Sequence, residues 1–385
     1  MKVLHIITGL GVGGAEQQLR LLLRHLPTSC DVVALTNAGT VARGIAADGT
    51  RVTDLGMSGN RDVAALPRLV RLIRAGRYDV VHTHLYRACL YGRIAARLAG
   101  VRAVVATEHS LGDSQMEGRP LTAGVRALYL AGERLGRVTV AVSPAVGARL
   151  HRWGVPRQRI RVVPNGIEVE RFRFDPAVRA RTRQQLQLPE HAFVVGGVGR
   201  LASGKRFDVL LRAAALLPDD VVVVLVGSGP QESELRRLAH RLGLDGRVRF
   251  VGESTHESAP EESAAAGGAP DLPSLLSAMD ALASPSPEEA FGLALVEGLA
   301  SGLPVLYASC PAVEGLDAAE RAGAAYCPSD PDSFARALHG LRGDVPPHRE
   351  APAAVRHYSI SRSADQLMGV YASVAPGTTL EVTPR

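Results

Sequence analysis

Short apolar runs separated by helix-length stretches recur along this chain, and the recurrence starts over near its middle. Val3 to Thr8, Asp31 to Thr36, Arg51 to Leu55, Asp79 to Thr83, Arg102 to Thr107 and Val138 to Val142 read as strands. A helix follows the first of them from Ala15 to His25, with Leu19, Leu22 and Leu23 on its apolar side. Strands that are apolar throughout and joined by helices belong to a parallel sheet buried on both faces. The alternation therefore dictates a doubly wound α/β domain. It begins again with strands at Ala192 to Gly199, Val221 to Gly227, Arg247 to Val251, Ala281 to Ser284 and Pro304 to Tyr307. Helices fit at Phe207 to Leu217, Ser233 to Leu242, Phe291 to Ser301 and Asp332 to Leu341. The 385 residues suit two such domains of under ~200 each.

The turn Val163-Pro164-Asn165-Gly166-Ile167 divides them, since Pro-Asn-Gly ends a strand. We read residues 1–165 as one Rossmann-like domain and 166–358 as a second. Residues 359–374 read as a C-terminal helix crossing back toward the first domain, and 375–385 as a flexible tail. Glu253 to Pro270 is acidic, rich in Ala, Gly and Ser, and aperiodic; it reads as a mobile surface loop.

Apolar residues at 46% and charged residues at 21% exclude a disordered or fibrous chain. Aromatics at 4% leave too few stacking platforms for single-stranded nucleic acid, so no nucleic-acid partner is expected. The net charge is +6 and comes from Arg, the only two Lys being Lys2 and Lys205. That balance points weakly to anionic ligands or a membrane surface. Cys30, Cys89, Cys310 and Cys327 form no CxxC pair. This speaks against a disulfide framework or zinc site and for a reducing, cytoplasmic setting. The opening MKVLHIIT reads as a strand and not as a signal peptide. The most apolar later run, Val221 to Val226, is far short of the ~20 residues of a membrane span.

Gly9-Leu10-Gly11-Val12-Gly13-Gly14 follows a strand and opens a helix. It matches GxGxxG, whose glycines let a pyrophosphate approach a helix N-terminus. A nicotinamide dinucleotide would also ask for an acid at the end of the second strand, where this chain has Leu35-Thr36-Asn37-Ala38-Gly39. A tight turn without ligand, or a loop touching another phosphate or an acceptor, fits the glycines equally. His82, His84 and His109 lie at the carboxyl ends of strands, the edge where parallel sheets bind ligands. Hydrogen-bonded structural histidines are the plain alternative, and no acid completes a metal site. Gly199-Arg200-Leu201-Ala202-Ser203-Gly204-Lys205 puts two cations on a glycine-containing loop, which suits a diphosphate. Two solvated charges are the bland alternative.

Glu289 and Glu297 have seven residues between them. Ser286-Pro287-Glu288-Glu289 reads as a helix start, with Ser as N-cap and Glu289 closing a capping box. The same start offers the amides of Gly292 and Leu293 to a phosphate. Glu297 then lies ~9 Å along the axis from Phe291. Diphosphate, sugar and ribose of a nucleotide-sugar span that length.

Together these segments resemble the retaining glycosyltransferases of family 4, whose GT-B fold sets two Rossmann-like domains facing a central cleft. The likeness covers nearly the whole chain. It rests on the E-x7-E pair Glu289/Glu297, the GR-x4-K pair Arg200/Lys205 and Leu225-Val226-Gly227-Ser228-Gly229-Pro230. Gly13-Gly14-Ala15-Glu16, His109, Ala141-Val142-Ser143 and Pro164-Asn165-Gly166-Ile167 agree in order.

The resemblance implies roles. The first domain would take the acceptor and the second the nucleotide-sugar. Arg200 and Lys205 would neutralise the donor diphosphate, with Gly13, Gly14 and the amides of Gly292 and Leu293 around it. Glu297 would bind the ribose, and Val251 and Gly252 the base. Glu289, Phe291 and His109 would meet the donor sugar, Glu289 and His109 being catalytic. Glu16 and His84 would lie on the acceptor side. The donor would be an NDP-sugar, with UDP favoured by family frequency. The acceptor would be a hydroxyl of a glycan, a lipid-linked molecule or a natural product. Neither metal nor cofactor is expected. Two departures bear on the base preference: Cys310-Pro311-Ala312-Val313-Glu314, where relatives often carry Gly-Gly before an acid, and the segment 253–270, which would border the base. An NAD-type oxidoreductase and a non-catalytic nucleotide-sugar binder are the alternative classes. Because the site residues divide between the domains, closure about the Pro164-Asn165-Gly166 turn is expected.

Asp62 to Arg77 sets Leu66, Leu69, Val70, Leu72 and Ile73 beside Arg61, Arg68, Arg71, Arg74 and Arg77. It reads either as an ordinary helix covering the first sheet or as a weak, salt-sensitive peripheral contact with an anionic inner leaflet.

Overall fold

The computed structural model describes residues 1–59, 62, 64–112, 115–116, 119–254, 270–343 and 349–377. The chain forms two compact units: Met1–Gly166 with the segment from Ile360 onward, and Ile167–Ser359.

In the first unit Arg51–Asp54, Ser29–Asn37, Lys2–Gly9, Val80–His84, Val104–Glu108, Val138–Ala141 and Ile160–Val162 lie side by side in that order, all parallel. Chain order reverses between Lys2–Gly9 and Val80–His84, the switch point at which such a sheet opens a crevice at its carboxyl edge. Strand alternation sends Val3 to one face and Leu4 and Ile6 to the other. Val3, Val80, Val105 and Val138 share a buried cluster with Ile360, Ala364, Leu367 and Tyr371 of the helix Ile360–Val374. Leu4, Ile6, Val81 and Val104 pack with Leu69, Val70 and Ile73 of the helix Ala65–Gly76.

The apolar side of that helix thus covers the sheet, as an ordinary surface helix does. Arg68 pairs with Asp62 at 3.1 Å, and Arg74 donates to the Leu98 carbonyl at 2.7 Å. Arg61 lies outside the described residues. Among the described residues no helix is long and apolar enough to cross a membrane.

In the second unit the order is Val248–Gly252, Val221–Val226, Phe193–Val198, Ala281–Ser284, Val305–Tyr307 and Ala324–Tyr326, again parallel throughout. Its switch point falls between Phe193–Val198 and Ala281–Ser284. Two doubly wound parallel sheets are the fold class expected from the alternation.

Two edge strands, Ile160–Val162 and Ala324–Tyr326, are only 3 residues long each. Arg161 interrupts one and the other is mostly exposed, because an edge strand is not covered on both faces. The helix expected from Phe291 starts instead at Leu293 and ends at Ala300. The loop expected over 253–270 lies outside the described residues from 255 to 269, as does the tail from 378 onward.

Candidate active site

The carboxyl edge of the second sheet gathers the cations and acids singled out above. The strand Phe193–Val198 runs into Gly199, and the strand Val221–Val226 into Gly227. These two turns touch: a Cβ at Gly227, where φ is 133°, would stand 2.1 Å from the Gly199 carbonyl oxygen. Only glycine fits there. Leu201 N donates to Ser228 O at 2.8 Å, which holds the loop carrying Arg200 and Lys205 against the sheet. Lys205 ends a short 3-10 turn, and its Nζ donates to Glu289 Oε1 at 2.5 Å. Arg200 is exposed and makes no ion pair among the described residues.

Glu289 does not close a capping box. Residues 285–292 form no helix, and the Ser286 hydroxyl donates to the carbonyls of Gly204 and Glu288 at 3.2 and 3.1 Å. The helix Leu293–Ala300 is entered through Gly292 at φ 96°, where a Cβ would stand 2.5 Å from Cys310 Sγ. The amides of Leu295 and Val296 reach back to the Gly292 carbonyl at 3.0 and 3.2 Å. Those of Leu293 and Ala294 lie outside the helix's own ladder, where an anion is favoured. Phe291 is buried just before this start, and Glu297 is buried at 3% exposure one turn inside it. Glu297 stands ~6 Å along the axis from Leu293, and the ~9 Å helical spacing from Phe291 does not apply, because Phe291 is not helical.

Val251 and Gly252 end the strand Val248–Gly252, and Gly252 O accepts from Gly227 N at 2.7 Å. Ser228 donates to Glu253 next to them. At the departure from the family pattern, Glu314 turns back and accepts from the Cys310 amide at 2.7 Å. Burial pushes the Cys310 thiol up to about 12, so it is no nucleophile at neutral pH.

In the first unit, Gly13 caps the helix Gly14–His25 without a side-chain cap. A Cβ at Gly14 would meet nothing within 4 Å, so packing within this chain does not require a glycine there. The tight-turn reading is not supported at that position. Glu16 lies in the helix's first turn.

The histidines form a connected group. His5 and His82 are register partners on neighbouring strands, and His84 stands opposite both Ile7 and Thr107. Period two puts His5, His82, His84 and Thr107 on the face that carries Val3 and Val80. His5 Nδ1 and His84 Nε2 are 3.0 Å apart, and His84 Nδ1 and His109 Nε2 3.1 Å. His82 is bonded at 2.7 Å to both Tyr371 and Thr107 through their hydroxyls, which makes it the structural histidine of the plain alternative.

His84 does not meet an acceptor directly. It is fully buried with both ring nitrogens occupied. Burial drives His5 down to about 3 and His109 to about 4, and holds His82 and His84 well below the ordinary value. Ring nitrogens of His5, His82 and His84 lie within 4.8 Å of one another. The hydrogen bonds already occupy both nitrogens of two of those rings, and among the described residues no carboxylate joins them.

Sequence reasoning missed His5, whose place within an apolar strand hid it, although its spacing from Val3 gives its face. It also missed Asp280. That buried carboxylate holds Arg179 at 2.6 Å, Arg183 at 2.5 Å and Arg349 at 3.2 Å. It also accepts from Val194 N at 2.7 Å, which ties the helix Pro176–Gln185 to the sheet.

Two doubly wound parallel sheets, with a cation loop and an acid-flanked helix start at one carboxyl edge, are the architecture of the GT-B fold class. Residues 12–171 match the family described as Glycosyltransferase Family 4, and residues 178–349 the Glycosyl transferases group 1. A D-inositol 3-phosphate glycosyltransferase of Catenulispora acidiphila is 32% identical over 374 residues, covering 88% of this chain and 82% of that protein. One from Salinispora tropica is 34% identical over 329 residues, covering 77% of this chain; this chain spans 64% of that relative's length. HepE of Anabaena, solved with UDP and glucose, superposes with a TM-score of 0.82 at 22% identity, over 97% of this chain and all (100%) of that one. Sucrose-phosphate synthase of Thermosynechococcus elongatus gives 0.73 at 22% identity, over 98% and 100% of the two chains. The chain belongs to the family-4 glycosyltransferases of GT-B fold.

Proposed function

We propose that the protein transfers a sugar from a nucleoside diphosphate sugar to a hydroxyl acceptor with retention at the anomeric carbon. The observation that carries this reading is the Lys205–Glu289 pair, at 2.5 Å, beside the glycine-entered start of the helix Leu293–Ala300. It puts a cation, an acid and free amides at one sheet edge.

In this reading Arg200, Lys205 and the amides of Gly292 and Leu293 hold the diphosphate and stabilise the charge it gains on leaving. The bond from the anomeric carbon to the diphosphate oxygen breaks, and its electron pair stays with the diphosphate. The acceptor oxygen bonds on the same face, and its proton passes to the departing diphosphate. Glu289 orients Lys205 and binds sugar hydroxyls next to the developing positive charge. Glu297 takes the ribose hydroxyls, the backbone at Val251 and Gly252 borders the base, and His109 serves the donor sugar. Gly13, Gly14 and Glu16 stand at an open helix start that suits a phosphate or an acceptor group. The chain's own cations do the charge work that a metal ion does elsewhere, so the scheme includes neither metal nor cofactor. UDP is the favoured nucleotide, since HepE, a neighbour of like fold, was solved with UDP and with UDP-glucose.

The test is a panel of UDP-, GDP- and ADP-sugars against hydroxyl acceptors, beginning with D-inositol 3-phosphate, which the relatives' names supply. Product is identified by mass, and its anomeric configuration by proton NMR. An α-linked product from an α-linked donor is expected. An inverted product, or no transfer with any donor, removes the proposal.

A further inference from the structure

Three imidazoles form a row that runs from within the strand Lys2–Gly9 to the carboxyl edge of the first sheet: His5, His84 and His109, joined at 3.0 Å and 3.1 Å between ring nitrogens. Each of these gaps needs one proton, no more and no fewer. Burial lowers all three rings far enough that they are neutral at pH 7, so each carries a single N–H. Two arrangements alone then satisfy both gaps. Either every ring carries its proton on Nδ1, or every ring carries it on Nε2. In the first, His109 presents a donor at its outer nitrogen and His5 an acceptor; in the second the two are exchanged. The outer nitrogens, His109 Nδ1 and His5 Nε2, are buried and have no hydrogen-bond partner among the described residues.

From this geometry we propose that His5, His84 and His109 act as one tautomeric unit, in which His5 and His84 are positioning residues that fix whether His109 Nδ1 donates or accepts. That His109 then meets a sugar hydroxyl rests on the donor reading above; the coupling among the rings does not. His82 stays outside the unit. Its two nitrogens are held by the Tyr371 and Thr107 hydroxyls, each able to give or take a proton, and its ring lies against His84 with centroids 4.2 Å apart. A sheet position that places an imidazole between two others, bonded to each through a different ring nitrogen, leaves the rings no independent choice.

Protein labelled with 15N in its histidine rings, without ligand at neutral pH, reports each tautomer through ring-nitrogen shifts and long-range proton couplings. The three rings should share one tautomer, or exchange between the two with a common population. His84→Phe keeps a ring in place and breaks both gaps. In that variant the His5 and His109 populations should become unequal, while His82 keeps its wild-type tautomer. If His84→Phe does not fold, His5→Phe breaks the first gap only and should still shift the His109 population. Rings of differing tautomer in the wild type, or an imidazolium among them at neutral pH, overturn the proposal. So does a His109 population unmoved by the variant that folds. The spectra are recorded without donor, so the coupling can fail while the transferase reading stands, and the reverse.

Discussion

Lys205 and Glu289 meet in a pair that is one-third exposed on the lysine side, and such a pair alone adds only about 0–1 kcal/mol to stability. In the proposed function its weight lies in aiming Lys205 at the diphosphate. Glu289→Gln keeps the size and removes the charge that aims Lys205. We expect kcat to fall at least about tenfold, some 1.4 kcal/mol, with Tm nearly unchanged. Equal kcat in the two proteins would reduce Glu289 to a loop residue. The lysine itself was legible in the sequence, because every other basic residue past Lys2 is Arg. Its partner was not: the two are 84 residues apart, and no local pattern encodes that distance. The local pattern in fact misled. Ser-Pro-Glu-Glu carries the signals of a helix start, yet Ser286 is drawn into the carbonyls of Gly204 and Glu288, and the helix waits for Gly292. Tertiary partners overrode a capping preference worth about 1 kcal/mol.

At the scale of elements, the strands with continuous apolar runs were readable, and the three-residue edges Ile160–Val162 and Ala324–Tyr326 were not. What fixes the helix Pro176–Gln185 is also invisible to periodicity, because three arginines from two separate segments converge on one buried carboxylate. Asp280→Asn leaves those guanidiniums without their anion, and breaking such a buried network costs about 3–5 kcal/mol. A urea midpoint that hardly moves would show the network to be dispensable. The histidine row makes a second element-level prediction, on pH. His5 and His109 charge only below about 3 and about 4 when folded, against 6.5 when unfolded. Between these values the unfolded chain binds protons that the folded chain does not, so ΔG of unfolding rises with pH there. Their contribution is complete above 6.5 and is lost as pH falls toward about 4 for His109 and about 3 for His5. Urea midpoints followed over that window should decline, and decline less steeply in His5→Phe. The same slope in both proteins would mean that His5 titrates normally.

For the whole molecule, the repeated alternation sufficed to give two doubly wound sheets, because burial on both faces leaves few other arrangements for such strands. The carboxyl edges then follow from strand direction, and the cation loop, the paired acids and His109 fall on them. Side-chain roles were less legible than positions. His84 sits at the right edge, yet its neighbours bury it and occupy both its nitrogens. The central claim is that the second unit's edge binds the nucleotide diphosphate of a sugar donor through Lys205. Calorimetric titration of UDP, GDP and ADP into the wild-type protein and into Lys205→Ala addresses it without knowledge of the acceptor. One saturable site for UDP is expected, with Kd raised at least about tenfold in Lys205→Ala, the loss of one charge-assisted contact of ~1.5–3 kcal/mol, and with Tm unchanged. Binding of none of the three nucleotides, or the same Kd in both proteins, would contradict it.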